Sequence, residues 1–180
     1  MRSVLAGCVV ACALATTAAA VPRNDFALVI NERAGPYRYI QELKRGRSYE
    51  AAVAAFGLPS SRRAESNLCT VRWAGTGIDI NFASRPNACA RAQLTHGAWY
   101  GMRLWGPRWH TLKGLRIGDA AGRVKKLYPR AALHTTPRGL PSYWLASWRL
   151  EPGTPLSPLV EAQLRGGRVS AVVVHAGYIY

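Results

Sequence analysis

The sequence predicts an α+β fold made of two small tandem modules, each with a short helix packed on an antiparallel β-meander. One observation behind this prediction is a recurrence. A helix-capping residue, a short amphipathic segment and a strand with a tryptophan occur twice, 71 positions apart. The matching positions are Ser48, Val53, Phe56 and Trp73 in the first copy, and Asp119, Val124, Leu127 and Trp144 in the second. The other observation is that apolar and polar residues alternate after each helical segment, as they do in half-buried strands. The predicted organisation is a signal peptide at residues 1–20, a first module at 21–106 and a second module at 107–180.

Residues 1–20 have the features of a secretory signal peptide. Arg2 gives a positive start, residues 4–15 are almost wholly apolar or small, and Ala18-Ala19-Ala20 offers a cleavage site. We therefore expect a secreted protein, either free or associated with the cell envelope. The alternative is a lipid anchor on Cys8, because residues 5–8 have the form of a lipoprotein-processing site; the few residues before them disfavour it. No later segment reaches the roughly 18–20 apolar residues of a spanning helix, so no transmembrane segment is expected.

The chain carries a formal net charge of +15, which becomes +14 when Arg2 leaves with the signal peptide. A field of this sign attracts anionic envelope polymers, lipid headgroups, nucleic acid and acidic proteins. The alternative is that an Arg-rich, Lys-poor composition reflects the codon usage of a GC-rich genome. Because the basic residues are scattered, no specific nucleic-acid site is predicted.

Two cysteines, Cys69 and Cys89, remain after the signal peptide is removed. In an oxidising compartment a disulfide between them is the expected state. A hairpin of residues 68–73 and 77–82 would place Cys69 opposite Phe82, and the short loop at 83–88 could bring Cys89 back to it. A bonded pair excludes a cysteine nucleophile.

The first module begins with a helix predicted at residues 49–56, after a short strand candidate at 26–30. Ser48 can cap the helix and Gly57 can end it. Its apolar residues share one face: Tyr49, Ala52, Val53 and Phe56. Strands are expected at 68–73, 77–82 and 98–104. Their alternation predicts that Trp73 lies in the core and Asp79 on the wet face.

The second module begins with a helix predicted at residues 120–128, capped by Asp119 and ended by Pro129. Its inward residues are Val124, Leu127 and Tyr128. A strand at 143–150 is expected to bury Trp144, Ala146, Trp148 and Leu150. Gly166-Gly167 should join strands 159–165 and 169–174 in a hairpin. The last strand is apolar on both faces, which predicts that it is central in the sheet or covered by the other module.

This layout resembles the beta-lactamase inhibitory protein fold, which also occurs in small outer-membrane assembly lipoproteins of the SmpA/OmlA (BamE) type. The resemblance covers roughly residues 35–175 and rests on Gly118-Asp119 before Val124, Ser48 before Val53, and the strand at 69–73. It implies a non-enzymatic protein that binds another protein through a concave sheet face and hairpin tips. The chain departs from the inhibitors in having one disulfide, where they carry one in each module. The tip at residues 74–77 also has no acidic residue to mimic a substrate, which argues against inhibition of beta-lactamase itself.

The densest mixture of aromatic and basic residues lies at the junction of the predicted modules. Such a mixture suits a protein hot spot or a contact with a polyanion. The candidate partner-binding residues are Trp99, Tyr100, Arg103, Trp105, Arg108, Trp109 and His110. The alternative is that Trp99 and Trp105 fill the core and the junction. Arg108 and Trp109, which follow the break at Pro107, are the stronger candidates for exposure.

No catalytic, metal-binding or cofactor-binding residues are predicted. The four histidines show no metal-ligand spacing, the carboxylates are widely separated, and neither a nucleophile-elbow motif nor a phosphate loop occurs. The sequence therefore favours a secreted, non-catalytic and monomeric binding protein whose partner is a protein or an anionic envelope polymer. The alternatives are a basic protein that binds polyanions of the cell wall, or a small secreted hydrolase whose site is assembled from distant residues.

Overall fold

The computed structural model describes residues 27–28, 48–65, 68–83, 89, 99–148 and 157–175. Two short helices occur in this part of the chain, α1 (Tyr49–Phe56) and α2 (Ala121–Leu127). The strands are β1 (Ala27–Leu28), β2 (Ser61–Glu65), β3 (Leu68–Trp73), β4 (Ile78–Ala83), β5 (Trp99–Leu104), β6 (His110–Thr111), β7 (Ala132–Thr135), β8 (Pro141–Trp148), β9 (Ser157–Arg165) and β10 (Arg168–His175).

Eight strands form one sheet in the order β2-β3-β4-β5-β10-β9-β8-β7, and all neighbours are antiparallel. β1 and β6 form a separate parallel pair. The predicted α+β class with tandem helix-plus-sheet modules is therefore wrong, because the described chain is mainly β and the helices have only eight and seven residues. The local patterns identified the strands but did not reveal that hydrogen bonds between β5 and β10 make the sheet continuous.

The last strand lies at the centre of the sheet, as predicted from its apolar sequence. β10 pairs with β5 on one side and with β9 on the other, and it contacts β9 through the predicted hairpin at Gly166-Gly167. Both glycines have positive φ, which a tight two-residue hairpin requires. Val172 and Val174 are buried on the core face of this strand.

The core lies on one face of the sheet, and both helices pack there. α1 begins as predicted: the Ser48 hydroxyl accepts a hydrogen bond from the Ala51 N–H at 3.2 Å. It ends at Gly57, whose φ of 78° is in the left-handed region that glycine favours. The indole Nε1 of Trp73 donates to the Gly57 carbonyl at 2.8 Å, and Trp73 is buried as predicted. The helix contributes Tyr49, Ala52 and Phe56 to the core.

α2 packs through Val124 and the following Tyr128, as predicted, but its start differs from the prediction. The cap position is Ala120, without a side-chain hydrogen bond, so the prediction that Asp119 caps this helix is wrong. The Asp119 carboxylate instead accepts from the Arg116 N–H at 2.8 Å and lies 3.1 Å from Nε of Arg123. The carboxylate therefore stabilises the turn before the helix.

The side-chain pattern of β8 also differs from the prediction. The register shifts twice between Trp144 and Ser147, which breaks the simple alternation. As a result Leu145 is buried, whereas Trp144 and Ala146 are only half-buried. The side chain of Trp148 and residue Leu150 lie outside the described part of the chain.

The predicted disulfide between Cys69 and Cys89 is present, with Cα atoms 5.2 Å apart. Cys69 lies opposite Phe82, as the hairpin register predicted. A disulfide is typical of an oxidising compartment. The described residues contain no helix long and apolar enough to cross a membrane.

Candidate partner-binding face

The face of the sheet opposite the core carries most of its polar side chains, and we refer to it as the open face. On this face one residue from each strand lies in register with the next, which forms a row across the whole sheet. In sheet order the row is Ser61, Arg72, Asp79, Arg103, Val173, Glu161, Trp144 and Ala132. Strand alternation places this central row on the side away from the core, because Ile78, Ile80 and Val172 point inward.

Arg72 and Asp79 form a bidentate ion pair at one end of the central row. Nε of Arg72 donates to Oδ1 of Asp79 at 2.8 Å, and a terminal nitrogen donates to Oδ2 at 2.9 Å. The hydrogen bond and the attraction to Asp79 raise the pKa of Arg72 above its ordinary value. Asp79 was predicted to face solvent. It does lie on the open face, but it is only 8% exposed.

Arg103 follows Asp79 in the row and is half-buried. Burial lowers the pKa of Arg103; Asp79 partly offsets this, while the nearby guanidinium groups of Arg72, Arg165 and Arg138 lower the pKa further. No hydrogen bond or ion pair joins the Arg103 side chain to another described residue.

Glu161 lies beyond Val173 and is a buried carboxylate with three polar neighbours. Its oxygens accept hydrogen bonds from Ser142 at 3.1 Å and from Gln163 at 2.8 Å. Nε2 of His175 lies 3.6 Å from Oε1, so its contribution is electrostatic when the ring is protonated. Burial would raise the pKa of Glu161, but the contacts with His175, Gln163 and Ser142 outweigh burial and lower it.

This cluster contains a serine, a carboxylate and a histidine, but not in the order that a hydrolase requires. In a catalytic triad the histidine lies between the serine and the acid. Here Glu161 lies between Ser142 and His175, and Ser142 is fully buried. None of the hydrogen bonds found in the described residues joins Ser142 to His175. The arrangement holds a carboxylate in place and does not activate the serine.

Trp144 and His134 form an aromatic stack at the other end of the open face. The ring centroids are 3.6 Å apart and the planes differ by 13°. Trp144 was predicted to lie in the core. It is half-buried on the open face instead, because the register shifts in β8 place Leu145 inward.

The structure divides the candidate segment that the sequence singled out. Trp99 and Trp109 are core residues, 4% and 2% exposed, so the expectation that Trp109 is exposed is wrong. Arg103 lies on the open face, and the Trp105 ring lies 5.7 Å below the Arg72 guanidinium. Tyr100 is 40% exposed, and Arg108 and His110 are half-buried.

The burial of Trp109 has a specific cause, which is contact with the turn between β3 and β4. Trp109 donates from Nε1 to the Thr76 carbonyl at 2.8 Å, and its ring packs against Phe56. Arg108 donates to the Gly75 carbonyl at 3.2 Å. The turn at residues 74–77 and the segment after β5 therefore pack on each other.

Glu161, its partners Ser142, Gln163 and His175, and the pair Arg72–Asp79 were not among the predicted site residues. The hairpin register alone could have suggested the Arg72–Asp79 pair, because the two residues are directly opposite in the predicted strands. The Glu161 cluster joins residues from three strands and could not be found from spacing. Among the described residues, no three His, Cys, Asp or Glu side chains are grouped so that they could hold a metal ion.

No family model and no curated protein matches this chain. Among solved structures, it is similar to an extracellular protein containing an SCP domain from Bacillus anthracis str. Ames, with a TM-score of 0.42 and 14% sequence identity. The match covers 73% of this chain and 44% of that chain, so this chain spans less than half of that protein's length. A likeness at this level does not identify a family or an activity.

Proposed function

We propose that the protein is an exported, disulfide-bonded, non-catalytic binding protein that presents the open face of its sheet to a protein partner. The observation that carries this proposal is the central row, in which charged and aromatic side chains from neighbouring strands are held in register. Arg and Trp are enriched in the residues that dominate binding energy at protein interfaces. Side chains that neighbours already hold in place lose little freedom on binding, which favours affinity.

The dimensions of the open face suit this role. Eight strands about 4.8 Å apart span about 34 Å, and six residues along a strand add about 20 Å. The resulting footprint of about 700 Å² is large enough for one side of a standard protein–protein interface, which buries roughly 800 Å² of accessible surface per partner. The predicted signal peptide and the disulfide support action outside the cytoplasm.

The test begins with capture on the immobilised mature protein, identification of the captured protein by mass spectrometry, and calorimetry with the two purified components. Val173→Lys places a charged side chain in the middle of the central row and should abolish binding. Leu58→Lys changes an exposed residue at the end of α1 and should leave binding unchanged. Near-ultraviolet circular dichroism checks that both variants are folded. Equal binding by wild type and Val173→Lys would reject the open face as the interface.

A second candidate function, binding of an anionic envelope polymer, is favoured by the net charge of +15 and by the arginines around Arg103. Such binding releases counterions, so it should weaken steeply as salt is raised. Elution from heparin at increasing sodium chloride measures this dependence. If wild type and Arg103→Gln both elute at the same low salt concentration, this function is contradicted.

A further inference from the structure

We propose that Arg103, supported by Arg138 and Arg165, binds a single carboxylate side chain of the protein partner. We call these three residues the arginine centre. The inference rests on the proposed function and assigns a chemical group to one point of the open face. Arg103 provides the fork of N–H donors, and the other two arginines provide positive charge around it.

Asp79 compensates the charge of Arg103 only in part. Asp79 lies between Arg72 and Arg103 in the central row, directly opposite each of them. Both of its oxygens accept hydrogen bonds from Arg72, at 2.8 and 2.9 Å. A bidentate pair of this kind fixes the carboxylate plane toward Arg72. Arg103 therefore has a carboxylate beside it, but its side chain donates no hydrogen bond to any described residue.

Glu161, the next carboxylate along the row, is also hydrogen-bonded to other residues. Val173 separates it from Arg103. Its oxygens accept hydrogen bonds from Ser142 and Gln163, and His175 lies beside Oε1. Turning Glu161 toward Arg103 would break both hydrogen bonds at a buried position, which is costly. The row therefore holds a guanidinium whose charge Asp79 offsets only in part, and the two carboxylates nearest to it in the row are hydrogen-bonded to other residues.

The described charges around Arg103 are mostly positive. Arg72, Arg138 and Arg165 lie near enough to affect it, and among the described residues Asp79 is the one acidic residue that does so. These four arginines, Arg103 included, and Asp79 together carry a net charge of about +3 at neutral pH. A half-buried cation among like charges raises the free energy of the unbound protein. An incoming anion relieves that cost on binding.

The charges along the central row suit a single protein carboxylate better than a polyanion. A polymer with regularly spaced negative groups along the central row would meet Asp79 on one side of Arg103 and Glu161 on the other. Like charges in contact are unfavourable at an interface. One carboxylate with apolar neighbours avoids this conflict, because Val173 adjoins Arg103 directly. The arrangement therefore favours an aspartate or glutamate presented by a protein loop.

The experiment titrates the mature protein with a short blocked peptide that has one glutamate between apolar residues, and with its glutamine counterpart. Binding is followed through the arginine Nε–H signals in nuclear magnetic resonance. We expect the glutamate peptide to shift the Arg103 signal and the glutamine peptide to bind at least about tenfold more weakly, since a hydrogen-bonded charge is lost. Arg103→Gln should weaken binding by about ten- to a hundredfold. Arg103→Lys should be intermediate, because lysine keeps the charge and loses the fork.

Arg130→Gln is the matched control, because it removes an exposed arginine that follows α2 and should not change binding. Thermal unfolding shows whether Arg103→Gln is folded; we expect its unfolding temperature to be at least that of wild type, since the variant removes a half-buried charge. Equal binding of the two peptides, or of wild type and Arg103→Gln, would overturn the inference. Heparin is added as a competitor. If heparin displaces the peptide, binds more tightly and depends equally on Arg103, the arginine centre binds polyanions and the carboxylate proposal is rejected.

The outcomes also separate this inference from the proposed function. If the purified partner binds wild type and Arg103→Gln equally but fails to bind Val173→Lys, the interface stands and the arginine centre is rejected. If the glutamate peptide binds through Arg103 but Val173→Lys does not weaken binding of the partner, the carboxylate site stands and the open-face interface is rejected.

Discussion

Gly77 and Gly106 lie backbone against backbone, and this contact joins the turn after β3 to the segment after β5. A Cβ atom on Gly77 would lie 2.2 Å from Cα of Gly106, far closer than two carbon atoms can approach. The Gly77 carbonyl accepts hydrogen bonds from the N–H groups of Trp105 at 2.8 Å and Gly106 at 3.0 Å. Three residues after Gly106 the chain reaches Trp109, which is buried in the core. Two glycines are therefore required for a packing arrangement that fixes the position of the candidate segment.

Gly77→Ala should be strongly destabilising. The new Cβ meets backbone atoms of Gly106, which cannot rotate away, and φ at this position is 68°. We expect a loss of at least about 3 kcal/mol in the free energy of unfolding, measured by urea denaturation. Gly114→Ala is the control: its φ is 80° but no atom lies within 4 Å of the new Cβ. Its cost should be about 1–2 kcal/mol, from backbone strain alone. Equal costs for the two variants would contradict the close contact.

Trp109→Ala should reduce stability more than Trp105→Ala. Trp109 fills the core beside Phe56 and donates a hydrogen bond to Thr76, whereas Trp105 is half-buried. Removal of a buried tryptophan costs about 3–5 kcal/mol. We expect Trp105→Ala to lower the free energy of unfolding by less than half of that amount. Urea unfolding curves of the two variants provide the comparison, and a smaller loss for Trp109 would place its side chain outside the core.

Reduction of the disulfide should destabilise the protein by about 3 kcal/mol. Cys69 and Cys89 are 20 positions apart, and in the chain-entropy model closing a loop of this length restricts the unfolded chain by that amount. Thermal unfolding with and without dithiothreitol measures the effect. A variant with both cysteines changed to serine should unfold at a lower temperature and should not respond to the reductant. A response in that variant would show that the reductant acts elsewhere.

Glu161 should make the stability depend on pH in the acid range. The pKa of this carboxyl is lowered from its ordinary value of 4.5 in the folded protein, so its ionised form favours folding. Its contribution is complete well above pH 4.5 and is lost as the pH falls through the folded pKa. Glu161→Gln should therefore cost about 1–3 kcal/mol at neutral pH. The difference from wild type should shrink as unfolding is repeated at lower pH, and a difference that grows on acidification would contradict the assignment.

The helix α1 illustrates what the sequence could predict. Ser48, Gly57 and the apolar face between them act over short distances, so the cap, the end and the burial of Tyr49, Ala52 and Phe56 were correct. The fourth predicted inward residue, Val53, is only half-buried. The hairpins of β3–β4 and β9–β10 were also correct, because turn residues and alternation fix their register. The prediction that Asp119 caps α2 was wrong because its carboxylate accepts a hydrogen bond within the preceding turn. Residue type alone does not decide between these two uses of an aspartate.

The fold class and the site were harder to predict because they depend on contacts between distant residues. Trp109 follows a proline in a polar segment, which suggested exposure, yet the turn at residues 74–77 provides a hydrogen bond and covers it. Trp144 has the alternation of a core residue, but the irregular register of β8 moves it to the open face. Arg103 was predicted to bind a partner only because it lies in a basic and aromatic segment. Among the described residues Arg103 has no hydrogen-bond partner, because Asp79 on the neighbouring strand is paired with Arg72; this arrangement of residues on three strands could not be predicted from spacing.

The central position of β10 imposes an order on folding. β2, β3 and β4 form hairpins with near neighbours in the chain, and so do β7, β8 and β9. β5 gains its second neighbouring strand only after β10 has been synthesised and has paired with it. β10 ends at His175. Closing this long loop is slow compared with hairpin formation. Until it happens, β5 has an unpaired edge, so a chain that lacks its last strand would expose a template for aggregation.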